Sequence, residues 1–133
     1  MRLSRKSEYA CLALLELAAH HGRRLVKTTD IARRQGIPRE YLAQILNALK
    51  AAGYVAAVRG ARGGYRLARA PAAISVAEIV RLMDGPLAPV ASVSKYFYAR
   101  TPIARSRKLR LLLKDVRDYT ARLMEGTSFA DLV

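Results

Sequence analysis

Arg59, Arg62 and Arg66 crowd around Gly60, Gly63 and Gly64 in the stretch RGARGGYR. Cations on so flexible a turn can hold phosphate oxygens or enter an electronegative minor groove. Any tight hairpin uses glycine, but it does not need three arginines beside it. The expected contact set of this turn is Arg59, Arg62, Gly63, Gly64, Tyr65 and Arg66. Upstream, Pro38, Arg39, Glu40 and Tyr41 open a segment that continues through Gln44 and Asn47. Arg pairs two-pronged with guanine, Gln or Asn with adenine, and Glu accepts from cytosine. Glu40 can equally serve the helix dipole alone. Thr28 and Thr29, and also Ser4, Lys6 and Tyr9, can hydrogen-bond phosphates from helix starts, with a plain surface role as the alternative for each.

Chemistry of other kinds finds little support. No Ser/His/Asp grouping, paired-carboxylate site, phosphate-binding loop or metal-ligand spacing occurs, so neither an enzyme, a metal site nor a cofactor is expected. His20 and His21 are adjacent and face differently on a helix, which suits solvated residues near a helix end better than a ligand pair. Cys11, the single cysteine, lies within the apolar run ACLALLELAA and reads as a buried, inert thiol.

The 133 residues carry a net charge of +14, which implies a polyanionic partner, with nucleic acid ahead of an anionic membrane. Residues 1–70 hold 14 Lys/Arg against 4 Asp/Glu, whereas residues 71–133 hold 10 against 6, so most of the excess sits with the arginine hairpin. No apolar run reaches the roughly 20 residues of a membrane span. Glu8 and Glu16 interrupt the apolar N-terminal stretch and no convincing cleavage motif follows, so a cytoplasmic, nucleoid-associated bacterial protein with no membrane partner is expected.

These side chains need elements to hold them. Gly22, Gly36, Gly53, Gly85 and Gly126 each follow a helical segment and read as stops. The spacing predicts a first helix over about residues 4–21, apolar on nearly all sides and therefore central. A second runs from about Thr29 to Gln35, capped by Thr28 or Thr29, with Gly36-Ile37-Pro38 as the turn. A third starts with Pro38 as its first residue and ends near Ala52, with Leu42, Ile45, Leu46 and Leu49 as its core stripe. Tyr54–Arg59 and Tyr65–Ala68 read as strands. A fourth helix opens with a Ser75/Glu78 capping box and an Ile74/Ile79 staple. From Ser106 to Glu125, Leu109, Leu113, Val116, Thr120 and Leu123 form a coiled-coil-like seam, widened by Leu112 and Met124, for packing on the chain's own first helix or on a second subunit. Ser128 starts a last short capped turn.

The expected fold is mainly α with a small β-hairpin: a winged helix-turn-helix plus a long C-terminal dimerisation helix. Its parts are a DNA-binding domain over residues 1–85, a linker and candidate regulatory loop over 86–105, and a dimerisation helix with a final turn over 106–133. In the loop, Tyr96, Phe97 and Tyr98 with Arg100, Arg105, Arg107 and Lys108 either line a pocket for a flat anionic effector or pack against the long helix with solvated cations.

MRLSRKSEYACLALLELA, IARRQGIPREYLAQILNALKAAGYV, RGARGGYRLAR, ISVAEIVRLMDGPLAPV and TSFADLV resemble, in order and spacing, the Rrf-two family of bacterial repressors, the IscR-, NsrR- and CymR-like regulators. The resemblance implies a homodimer on an inverted-repeat operator, with Arg39, Glu40 and Tyr41 on the recognition helix, Gly63-Gly64-Tyr65 at the minor groove, and the long helix crossing to the partner. Many members hold a two-iron, two-sulfur cluster on three cysteines ahead of the dimer helix. Here that stretch, PVASVSKYFYARTPIARSRK, has none, so no cluster is expected. The expected function is therefore a homodimeric, sequence-specific DNA-binding repressor. The alternatives are a non-specific nucleic-acid or nucleoid protein and a protein-interaction adaptor on the same fold.

Overall fold

The computed structural model describes residues 2–96 and 98–133. Helix α1 spans Arg5–Ala19, α2 Thr28–Gln35 and α3 Arg39–Ala51; strands β1 (Val55–Val58) and β2 (Gly64–Leu67) form an antiparallel pair. Helices α4 (Val76–Asp84) and α5 (Arg107–Glu125) follow, with short 3-10 turns at Pro71–Ala73, Ala91–Val93, Pro102–Arg105 and Phe129–Leu132.

The nearly all-apolar α1 sits where its composition demands. It touches α2, α3, α4, β2 and the Phe129–Leu132 turn, and Ala10, Ala13, Leu14 and Leu17 are fully or almost fully buried. Leu42, Ile45, Leu46 and Leu49 of α3 face the same core, as the stripe predicts. Gly36 stops α2 in the left-handed conformation at φ 67°, which turns the chain sharply toward α3. Two boundaries shift by a residue. Pro38 is the cap of α3 and not its first helical residue, and Lys27 stands at the cap of α2, so Thr28 and Thr29 lie inside its first turn and neither caps it.

The predicted capping box of α4 forms: Ser75 Oγ accepts from the Glu78 amide and Glu78 accepts from the Ser75 amide. Its staple residues Ile74 and Ile79 are both fully buried. A second capping box joins Ser128 and Asp131. Phe129 between them is fully buried in the main core, and its amide donates to the Ile74 carbonyl at 3.0 Å. The final turn thus completes the core of the winged unit, although the sequence groups it with the long helix. Gly126 ends α5 at φ −84°, so there the glycine stop is not a left-handed one.

Candidate nucleic-acid interface

Arg39, Glu40, Tyr41, Gln44 and Asn47 are all exposed, on the face of α3 opposite its core stripe. Packing fixes that side and solvent leaves the other free, so the helix presents its polar residues as one surface. Tyr41 is part of a small built feature: its ring meets that of Tyr9 edge-on, with centroids 5.5 Å apart. Arg5 lies 6.0 Å over the Tyr9 ring. Tyr9 is therefore half-buried support for Tyr41.

Ser4 changes role as well. Its side chain caps α1 by accepting from the Ser7 amide at 3.0 Å, and its hydroxyl donates to Asp84 Oδ1. Its amide donates to Asp84 Oδ2 at 2.9 Å. Ser4 thus ties the start of α1 to the end of α4, with a carboxylate beside it. Lys6 remains exposed on α1.

At the start of α2, Lys27 accepts backbone bonds from Asp30 and Ile31, while the amides of Thr28 and Thr29 precede any intrahelical acceptor. Without a side-chain cap, those donors and the helix dipole make an anion-receptive end.

The hairpin is held down from one side. Val26 exchanges two backbone bonds with Tyr65, at 2.9 and 2.8 Å, adding a one-residue third strand to the β-pair. Lys27 Nζ donates to the Ala61 carbonyl at the tip, 2.9 Å away. A groove of about 400 Å³ runs between the start of α2 and the wing, lined by Lys27, Thr28, Lys50 and Arg59 among others. Sequence pattern does not single out Lys27 or Lys50: the β-bridge at Val26 and the bond to Ala61 bring Lys27 to the wing, while Lys50 sits at the end of α3 where the chain turns into β1.

The glycines serve this docking. A Cβ on Gly63 would lie 2.0 Å from the Val58 carbonyl oxygen, and one on Gly64 would lie 2.8 Å from that of Val26, where φ is 153°. Their close approach is to the chain's own backbone; Gly63 is buried and is not an outward contact. Arg59 and Arg62 are exposed with no ion pair among the described residues, and Arg66 is exposed with Nη1 donating to the Leu67 carbonyl.

Behind the interface, α2 is locked to α1 through the buried Glu16. Arg34 Nη1 donates to its Oε1 at 2.9 Å and Gln35 Nε2 to its Oε2 at 2.8 Å, with His20 Nε2 at 3.4 Å. Burial pushes the Glu16 carboxyl up, but the bonds from Gln35 and Arg34, with the charges of Arg34 and His20, outweigh it and hold it below its ordinary value. His20 is accordingly engaged, while His21 is exposed.

In the linker, Tyr98, Arg100 and Arg105 are exposed, and Phe97 lies outside the described residues. Tyr96 faces a cleft between α4, the linker and α5, where Arg81 lies 5.0 Å and Lys95 5.3 Å over its ring. On α5, Leu113 and Thr120 are half-buried, because the helix lies against α4 and the linker turns on that side. The outward stripe is Leu109, Leu112, Val116, Tyr119 and Leu123, with Leu112 58 %, Tyr119 64 % and Leu123 58 % exposed. Of the residues expected to form a seam, Leu109, Val116 and Leu123 lie on this exposed face, and Leu113 and Thr120 lie beside α4 and the linker.

The whole of residues 3–133 matches the family model Rrf2, described as an iron-dependent transcriptional regulator. The chain belongs to the Rrf2 (Rrf-two) family. It is 45 % identical over 134 residues to a Mycobacterium tuberculosis protein designated a putative HTH-type transcriptional regulator, Rv1287, covering 99 % of this chain and 81 % of the relative. It is 32 % identical to the transcriptional regulator CymR of Bacillus subtilis, covering 99 % and 89 %. The solved structure of CymR, titled the global cysteine regulator of B. subtilis, superposes with a TM-score of 0.81 over 99 % of this chain and 95 % of that one, at 31 % identity. IscR of T. potens superposes at 0.77 over 99 % and 85 %, also at 31 % identity. This Rrf2 chain is a DNA-binding transcriptional regulator with the winged-helix fold of those neighbours. No helix among the described residues is long and apolar enough to cross a membrane.

The residues present do not fit an iron–sulfur cluster of the kind found in the Rrf2 family. Residues 86–105 contain no Cys, His, Asp or Glu. No cluster of three or more such residues occurs among the described residues. The single thiol, Cys11, is half-buried on α1 and lies outside residues 86–105, and one thiolate is too few to hold such a cluster.

Proposed function

We propose that this chain is a homodimeric repressor of an inverted-repeat operator. Each subunit sets the N-terminal half of α3 in a major groove, where Arg39, Glu40, Gln44 and Asn47 read base edges. Arg59, Arg62 and Arg66 of the wing lie on the minor groove and its phosphates, with Lys27, Thr28, Thr29 and Lys50 on the backbone between. The observation that carries the reading is the pairing of an exposed polar face on α3 with a wing whose Arg59 and Arg62 are exposed and make no ion pair among the described residues. The outward apolar stripe of α5 supports the dimer, since so many exposed large side chains on one helix call for a second copy. The protein would then act on the bacterial chromosome in the cytoplasm.

Genomic selection followed by competition tests this. The expected result is a two-fold symmetric site bound at least about a thousandfold more tightly than random duplex. A complex that dissolves in a modest excess of random DNA would establish a charge-driven nucleoid protein in its place.

A further inference from the structure

The cleft at Tyr96 has a volume of about 270 Å³ and is lined from three segments: Arg81 on α4, Pro86 to Tyr96 in the linker, and Arg117 to Glu125 on α5. Its walls carry four cations, Arg81, Lys95, Arg117 and Arg122, against two carboxylates, Asp118 and Glu125. Two of the cations are already committed. Arg81 pairs with Glu125 at 2.6 Å, and Arg117 pairs with Asp118 while its Nη1 donates to the Val93 carbonyl at 2.9 Å. Lys95 and Arg122 make no ion pair among the described residues. The remaining lining is Ser94, Leu87, Pro86, Ala121 and Tyr96, which is 61 % exposed with Arg81 and Lys95 over its ring.

From this geometry we infer that the cleft is a binding site for a small, flat carboxylate. The ring or planar body lies between Tyr96 and the Leu87–Ala121 floor, and the carboxylate meets Arg122 and Lys95. An excess of cations over carboxylates selects an anion, and the aromatic face favours a planar one. The volume falls just below the roughly 300–1,000 Å³ of drug-sized pockets, which matches a single-ring metabolite. Because α4 belongs to the winged unit and α5 carries the outward seam, the occupant would brace one against the other. Binding at the cleft is independent of the operator reading and is tested without DNA.

Salicylate is the probe, with neutral salicylamide and inorganic phosphate as comparisons, followed by NMR titration of labelled protein. Salicylate is expected to give saturable shifts confined to Lys95, Tyr96, Ala121 and Arg122. Its affinity should fall about tenfold in Arg122→Ala and in Lys95→Ala, the order of one charge-assisted hydrogen bond, and should be unchanged in the remote cation variant Lys108→Ala. Salicylamide should not bind, and phosphate should bind more weakly than salicylate. Shifts that do not saturate, that spread over the basic surface, or that persist in Arg122→Ala and Lys95→Ala would overturn the site. Equal binding of phosphate or salicylamide would overturn the ligand class.

Discussion

Arg39 and Arg62 are both exposed arginines on the same surface, yet they answer to different physics. A base-edge interaction is worth most against one base pair, so Arg39→Ala should cost about 1–3 kcal/mol at the preferred site and relax selection at a single position. Binding measured across a substituted operator series checks it. Arg62→Ala should instead weaken all sequences alike and flatten the slope of log affinity against log salt by about 0.9 for each phosphate that is no longer neutralised. Glu16 makes a third kind of prediction. Its carboxyl is held below the ordinary 4.5, so its contribution to stability is complete above that value and disappears as pH falls through the lowered one. Glu16→Gln should cost about 1–2 kcal/mol at neutral pH and unfold with a shallower acid dependence than the wild type as pH falls below the ordinary 4.5, read by urea melts. The exposed arginines and α3 residues are legible in the sequence because residue type and helical period suffice to place them. Glu16 is not, because its partners Arg34 and Gln35 reach it only after α2 folds onto α1. The role of Ser4 is hidden for the same reason: Asp84 meets it from the far end of α4.

Among the elements, α5 shows how far periodicity carries. Stripes through Leu113 and Thr120 or through Leu112 and Tyr119 share Leu109, Val116 and Leu123, and spacing alone accepts either. The rotation is settled by what the other side touches: Met124 packs beside Val80 and Leu87, which turns Leu112 and Tyr119 outward. If that face joins two subunits, Leu112→Asp combined with Tyr119→Asp should yield a folded monomer in sedimentation, whereas Thr120→Ser should leave the assembly intact. The wing offers the opposite lesson. Its glycines, turn and strands are local signals, and the hairpin is readable within a residue or so. Its attachment through Val26 is hidden, because a lone residue between two helices carries no strand pattern.

At the level of the whole molecule, the core is closed by residues from both sides of α5. Phe129 is fully buried among α1 and Ile74, and it follows the long helix in the chain. Phe129→Ala should therefore destabilise the winged unit by about 3–5 kcal/mol, seen as a lowered melting temperature of the entire fold and not as a local fraying of the last turn. The order of synthesis then acquires a meaning. A chain still emerging from the ribosome has no means of filling the hollow beside Ile74 until α5 has already been made. The winged unit is thus fully packed only once α5 has been made, and a product interrupted before Phe129 lacks part of the core that holds its helices.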